Sequence, residues 1–276
     1  MRAIARLPLA LAASACVFAS CDAGGKSADT SSKGPTLSIT SPRMDQVIEY
    51  PKLKDGETAP AKRRVEVLFD LRDYEVGKVD DGKNGQHLHL IVDNEPYQAI
   101  YDVSHATALD LAEGTHVIRA FPSAGPKDPK GAFEHESRKN AGAFAWVRFH
   151  VGSKGADPAI LAFDPTTAPT LTYSRPKGDY VTGTKNHDNF MLDFYVTGTT
   201  LSETGPRVRA ALDGQALKGK DGKPLGELLE WKRYVLESPS VGEHELVIEL
   251  FDRGGHPIDG PFNRTARKFK VRIEGK

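Results

Sequence analysis

Period-two alternation, written twice, is the feature that most narrows what this chain can fold into. Val65, Val67, Phe69 and Leu71 share one face of a stretch whose other face carries Glu66, Asp70 and Arg72, and Phe190, Leu192, Phe194 and Val196 repeat the arrangement. Side chains that alternate in this way line a half-buried strand, because successive Cβ atoms point to opposite faces of a sheet. Further short strands centre on 87–93, 115–121 and 143–151, and then on 206–213, 231–237, 243–251 and 267–273. No stretch holds the 3.6-residue period of an amphipathic helix of useful length, and residues 225–231 suffice only for a turn or two.

The halves also align with each other. An offset of 134 pairs Thr36-Leu37 with Thr170-Leu171, Pro42 with Pro176, Arg43 with Lys177, Asp45 with Asp179 and Val47 with Val181. Further on, Leu88–Asp93 parallels Val208–Asp213, and Gly114-Thr115-His116 parallels Gly242-Glu243-His244. Matches that keep their order while the offset drifts describe a duplicated unit whose loops vary and whose strands persist. Many short strands in units of this size, separated by turn clusters such as Arg253-Gly254-Gly255, predict an all-β chain built as β-sandwiches.

The short motifs resemble bacterial immunoglobulin-like repeats of the Big type. Those repeats show Ser-Pro at the end of an opening strand, Asp-Gly after a central strand and Gly-x-His before a later one. This chain has Ser41-Pro42, Asp213-Gly214 and the two Gly-x-His triplets, with Asp252-Arg253-Gly254-Gly255 like the closing turn. In the first unit Asp93-Asn94-Glu95 stands in place of Asp-Gly, and Asn94 is expected to take the left-handed conformation. The resemblance implies two tandem immunoglobulin-like sandwiches, 36–152 and 169–276, joined by a linker over 153–168.

The first twenty residues are of another kind. Arg2 and Arg6 precede an apolar run, Leu7–Ala19, too short to span a bilayer and of the length of a signal-peptide core. Phe18-Ala19-Ser20-Cys21 resembles a lipobox, although Phe18 stands where that motif usually has Leu. Cys16 is a second candidate, and an ordinary signal peptide cut near Ala19 is the alternative. The resemblance implies cleavage before Cys21, acylation there and attachment to a membrane through N-terminal acyl chains. Asp22 is similar to an inner-membrane retention signal. Residues 21–35 have no large apolar side chain and are expected to form a flexible tether. The expected location is the bacterial cell envelope, periplasmic or surface-facing.

Lys plus Arg and Asp plus Glu number 37 each, so no basic excess exists to displace counterions from a nucleic acid. The only two cysteines are Cys16 and Cys21, and with cleavage before an acylated Cys21 no free thiol remains for disulfides or catalysis in the mature part. No nucleophile elbow, phosphate-binding loop or dinucleotide fingerprint is present, so neither catalytic residues nor a cofactor are expected. Glu134-His135-Glu136 lacks the second histidine of a zinc-protease helix and reads as part of a mobile charged loop over 123–141. Asp80-Asp81-Gly82-Lys83-Asn84-Gly85 and Gly219-Lys220-Asp221-Gly222 lack the ligand spacing of calcium loops and read as turns.

One sheet face gathers the candidate partner-binding residues: His87, His89, Arg119, Trp146, Arg148 and His150, all in the phase that points away from the first core. As a solvated face it offers Trp146 to a protein or a sugar ring, unless Trp146 packs under a loop or against the second unit. His87 and His89 are also low-ranking metal candidates, with His150 as a strained third ligand. In the second unit Arg207 and Arg209 are expected to pair with Glu245 and Glu249, and these with Lys268 and Lys270. His116 and His244 are expected at the rim of each core as structural histidines. The functional expectation is a lipid-anchored envelope module that binds a protein or glycan. A periplasmic metal-handling protein and an accessory subunit of an envelope enzyme or secretion complex are the alternatives.

Overall fold

The computed structural model describes residues 34–50, 60–77, 85–125, 136–155 and 157–274, which belong to one compact unit, Lys33–Lys276. Cys21 and the rest of the leader and tether up to residue 33 lie outside the described residues, as do residues 80–84 and Glu134-His135.

In the first half the alternation produces strands β1 (Thr36–Ser41), β2 (Gln46–Ile48), β3 (Arg63–Arg72), β4 (His87–Val92), β5 (Gln98–Ile100), β6 (Thr107–Leu111), β7 (Gly114–Ser123) and β8 (Ala145–Val151). They form two sheets, β1-β3-β6 and β2-β8-β7-β4-β5. The second half gives β9 (Thr170–Arg175), β10 (Tyr180–Val181), β11 (Met191–Thr197), β12 (Arg207–Leu212), β13 (Gln215–Ala216), β14 (Tyr234–Val235), β15 (Gly242–Phe251) and β16 (Arg264–Arg272). Its sheets, β9-β11-β14 and β10-β16-β15-β12-β13, repeat the first pair strand for strand. Even the short parallel pairing of the second strand with the last recurs, β2 on β8 and β10 on β16. Both halves are therefore immunoglobulin-like sandwiches. The first core centres on Val65, Val67, Leu88, Leu90 and Phe149, the second on Leu171, Phe190, Leu192, Phe194 and Ile248.

Two local expectations need correction. Residues 225–231 form no helix, because Leu228 makes an antiparallel bridge to Val208 and is held as an extended chain. The short helices fall instead at α1 (Pro158–Leu161), where Asp157 caps the N–H of Ala159, and α2 (Lys185–Asp188), capped by Thr184. The strand expected over 231–237 shrinks to β14.

The duplicated Asp and Gly-x-His motifs meet in space. Asp93 and Asp213 end β4 and β12 in the left-handed region, φ 53° and 52°. Each carboxylate accepts the backbone N–H of the residue after the histidine, Val117 or Glu245, at 2.9 Å. It also accepts Nδ1–H of His116 at 2.9 Å or His244 at 2.7 Å. The far nitrogens donate to Ala112 O and Ser240 O. Neither acceptor carries a proton, so both imidazoles are doubly protonated in this arrangement. Burial pulls these histidines down, but the carboxylate and carbonyl outweigh it and hold both above the ordinary imidazole range. The left-handed residue of the first hairpin is thus Asp93 and not Asn94, a short side chain that tolerates this region and whose carboxylate is held across the sheet by Val117 N–H and His116.

Candidate functional site

The phase read from the sequence is the phase observed: His87, His89, Arg119, Trp146, Arg148 and His150 all stand on the outer face of β4-β7-β8. The solvated surface expected there is not found. The second sandwich lays the outer face of β9 and β11 across it, and His87, His89, Arg119 and His150 are fully buried. The cause is visible in their neighbours. Ile91, Val117 and Phe121 share that outward phase, and leaving such side chains in water is unfavourable by roughly 1.5–3 kcal/mol each. Tyr195 of β11 stacks on Phe121 with ring centroids 4.6 Å apart, and on Phe144 at 5.3 Å. Strands buried on both faces result, every residue of β4 and β9 being buried.

At one end of this seam the histidine pair is held by oxygen. His87 Nδ1 donates to Gly85 O at 2.9 Å, and His89 Nδ1 lies 3.0 Å from the Oγ of Ser174 on β9. Their Nε2 atoms face each other at 3.2 Å. Tyr97 stacks on His89 at 3.5 Å between centroids and 14° between planes, and Tyr101 lies 5.0 Å from His87. The Tyr97 hydroxyl accepts from Arg175 at 3.3 Å, and the Lys177 ammonium sits 3.9 Å from the Tyr97 ring centre. Burial pushes the His87 imidazole down to about 4, and Arg175 and Lys177 add to that against the pull of the Gly85 carbonyl.

The other residues of the face join the sandwiches at separate points. Arg119 donates to Thr172 Oγ1 at 2.9 Å and to Asp93 O, with its guanidinium 3.7 Å from the Phe262 ring centre. Burial lowers it to about 9. Trp146 is half-buried and meets Phe163 edge-on at 5.4 Å, so it packs towards the linker and Phe262 and does not stand in solvent. Arg148 binds Asp45 at 2.6 Å and the carbonyl end of α1 at Leu161. His150 bonds Thr115 Oγ1 at 2.9 Å. It pairs across from Thr115 while His87 pairs across from Ser123, eight residues further along β7. At about 3.4 Å per residue this puts them roughly 27 Å apart, which rules out His150 as a ligand shared with His87.

Several residues of the seam have no counterpart among the candidates. Asp193 on β11 is fully buried and takes the Lys139 ammonium at 2.6 Å and the Ser137 N–H at 3.0 Å. Arg233 binds Glu136 at 2.5 Å. The described ends of the 123–141 segment, expected as a mobile loop, are therefore pinned between the sandwiches, with Ser123 and Ser137 buried and bridged. At the rim of the seam a cleft of 360 Å³ opens between Phe144, Trp231, Leu201, Thr166 and Thr200. The second sandwich's own outer sheet face stays in solvent. There Arg207 and Arg209 both clasp Glu227 of the neighbouring loop, at 2.6 and 2.8 Å, in place of the expected Glu245 and Glu249.

No family model matches the chain, and no curated protein matches it. Among solved structures it is similar to the fibronectin(III)-like modules of Clostridium thermocellum CbhA, at 13% identity over 86% of this chain and 95% of that one, with a TM-score of 0.26. A central fibronectin-III array of RIM-binding protein gives 8% identity, 83% and 71% coverage and a TM-score of 0.24. Drosophila N-cadherin EC1-3 gives 9%, 86% and 67%, and 0.23. Superpositions at this level carry no argument, and the sandwich assignment rests on the strand orders themselves.

Proposed function

We propose that the chain is an exported bacterial envelope protein, lipid-anchored through Cys21, whose two sandwiches serve as a non-enzymatic binding or structural module for a protein or glycan partner. The observation behind this reading is the seam. A buried, hydrogen-bonded sheet-on-sheet contact turns two repeats into one stiff block, which suits a spacer that holds a ligand site at a fixed distance from a membrane. The lipobox-like leader and the polar tether support the anchored part of the reading. The ligand site we favour is the rim cleft, where Phe144 and Trp231 offer aromatic walls beside threonine hydroxyls, a combination that suits a sugar ring or an extended peptide.

Two experiments test the reading. Cys21→Ala should move the protein from the detergent phase to the aqueous phase and abolish labelling by a radiolabelled fatty acid; unchanged membrane partition would overturn the anchor. Crosslinking in solubilised envelopes, run beside a glycan array, should give a defined protein or saccharide whose capture falls at least tenfold with Trp231→Ala. Capture that ignores this substitution would remove the cleft from the proposal, and a captured enzyme or secretion complex would recast the chain as its accessory subunit.

A further inference from the structure

We propose that the rim cleft is a saccharide site that receives one neutral pyranose ring. This rests on the reading of the cleft as the module's ligand site and adds the class of ligand. The cleft is composite: Phe144 comes from the first repeat, Thr166 from the linker, and Thr197, Thr200, Leu201 and Trp231 from the second, so it exists only while the two are docked. At 360 Å³ it falls at the lower end of small-molecule sites, which run from about 300 to 1,000 Å³. Its two aromatic walls are fixed before anything binds. Tyr195 stacks on Phe144 at 5.3 Å and meets Trp231 edge-on at 4.6 Å and 73°. The Trp231 Nε1–H donates to Phe194 O at 3.2 Å, which ties down the polar edge of the indole and leaves carbon surface towards the cleft. Walls held in this way lose little entropy on binding.

The polar groups decide what kind of ligand suits those walls. None of the described residues lining the cleft carries a charge. The Asp164 carboxylate lies beside Thr166 and accepts its Oγ1–H at 2.6 Å, a bond that holds the carboxyl below its usual range and keeps it ionised. An anionic ligand would therefore meet no cation in the lining and a negative charge beside it. Thr166, Thr197, Thr199 and Thr200 supply the polarity of the cleft. With its proton given to Asp164, the Thr166 hydroxyl is left as an acceptor, and Thr197 Oγ1 is buried with no hydrogen-bond partner among the described residues. A pyranose complements this set, because its C–H face lies on aromatic carbon while its hydroxyls both donate and accept. An extended peptide of the kind that docks in aromatic grooves fits less well. It needs donors for its carbonyls, and the indole N–H and the Thr166 hydroxyl proton are already committed inside the protein.

The test titrates the full chain in detergent with neutral disaccharides (cellobiose, maltose and lactose), with digalacturonic acid and with a proline-rich decapeptide. A neutral disaccharide is expected to bind about tenfold or more tightly than the acid or the peptide, with the same affinity in high salt. That affinity should fall about tenfold in Trp231→Ala and about threefold in Thr200→Val, which removes one exposed hydroxyl of the lining. Saturation-transfer NMR on the unsubstituted protein should carry signal to the ring C–H protons of the bound sugar, a readout that does not depend on any variant folding. Tighter binding of the acid or the peptide, lost in Trp231→Ala, would overturn the pyranose assignment and keep the cleft as the ligand site. Silence of every probe, or binding indifferent to Trp231→Ala, would overturn the assignment and the choice of the cleft together.

Discussion

The sheet β2-β8-β7-β4-β5 of the first sandwich turns its outer face into the protein, while the equivalent sheet of the second, β10-β16-β15-β12-β13, turns its outer face to water. Both have the same strand order, the same Asp–His clasp and cores of the same kind. Their outward side chains differ. His87, His89, Ile91, Arg119 and Phe121 on one meet Thr172, Ser174 and Tyr195, whereas Arg207 and Arg209 on the other share Glu227 at the solvent boundary. Alternation settles which side chains leave a strand's own core. It does not settle whether they leave it for water or for a second core.

The largest expected contrast between the two faces lies in their ion pairs. Asp193→Ala strands the Lys139 ammonium in the seam and should cost about 3–5 kcal/mol in urea unfolding at constant slope. A loss under about 1 kcal/mol would mean that the seam is wet. The Asp–His clasp should separate what belongs to the repeat from what belongs to the seam. Both histidines are raised in the folded protein, so their stabilisation is complete below the unfolded imidazole range near 6.5 and disappears as pH rises through the higher folded value. His116→Gln should cost about 1 kcal/mol at pH 5.5, allowing for the half-exposed carboxylate, and less at pH 8.5. His244→Gln should follow the same pH trend. A pH-independent loss in either would show that its imidazole is neutral. The smallest effect is expected from Glu227→Gln, which should leave the unfolding midpoint within experimental error and lose even that difference in high salt, because its ion pairs are open to screening.

Much of the architecture was legible. The duplicated alternation, the Asp and Gly-x-His motifs and the outward phase of His87 through His150 all appear in the structure as the sequence reads. Apart from the alternative that Trp146 packs under a loop or against the second unit, the seam was not legible, although one signal for it exists. Leu88-His89-Leu90-Ile91-Val92 and Val117-Ile118-Arg119-Ala120-Phe121 are nearly continuous apolar runs in which the outward phase, Arg119 apart, is itself apolar or aromatic, the pattern of strands covered on both faces. Asp193, Lys139 and Ser174 carry no such mark. Their importance comes from contacts 54 to 85 positions apart in the chain, which local pattern does not encode. The shift of the left-handed residue from Asn94 to Asp93 has the same origin, since it depends on a histidine more than twenty positions away.

The contact between the sandwiches joins unlike surfaces, the larger sheet of one repeat against the smaller sheet of the next. Head-to-tail stacking of this kind has no symmetry that closes it and would extend into a fibre if both ends offered the same surfaces again. They do not. The free end of the first repeat presents Arg64, Glu66 and Asp70 along β3, and that of the second presents Arg209, Glu245 and Lys268. A third copy stacked in the same way would have to bury those charges, which sets these two faces apart from the pair that meets in the seam.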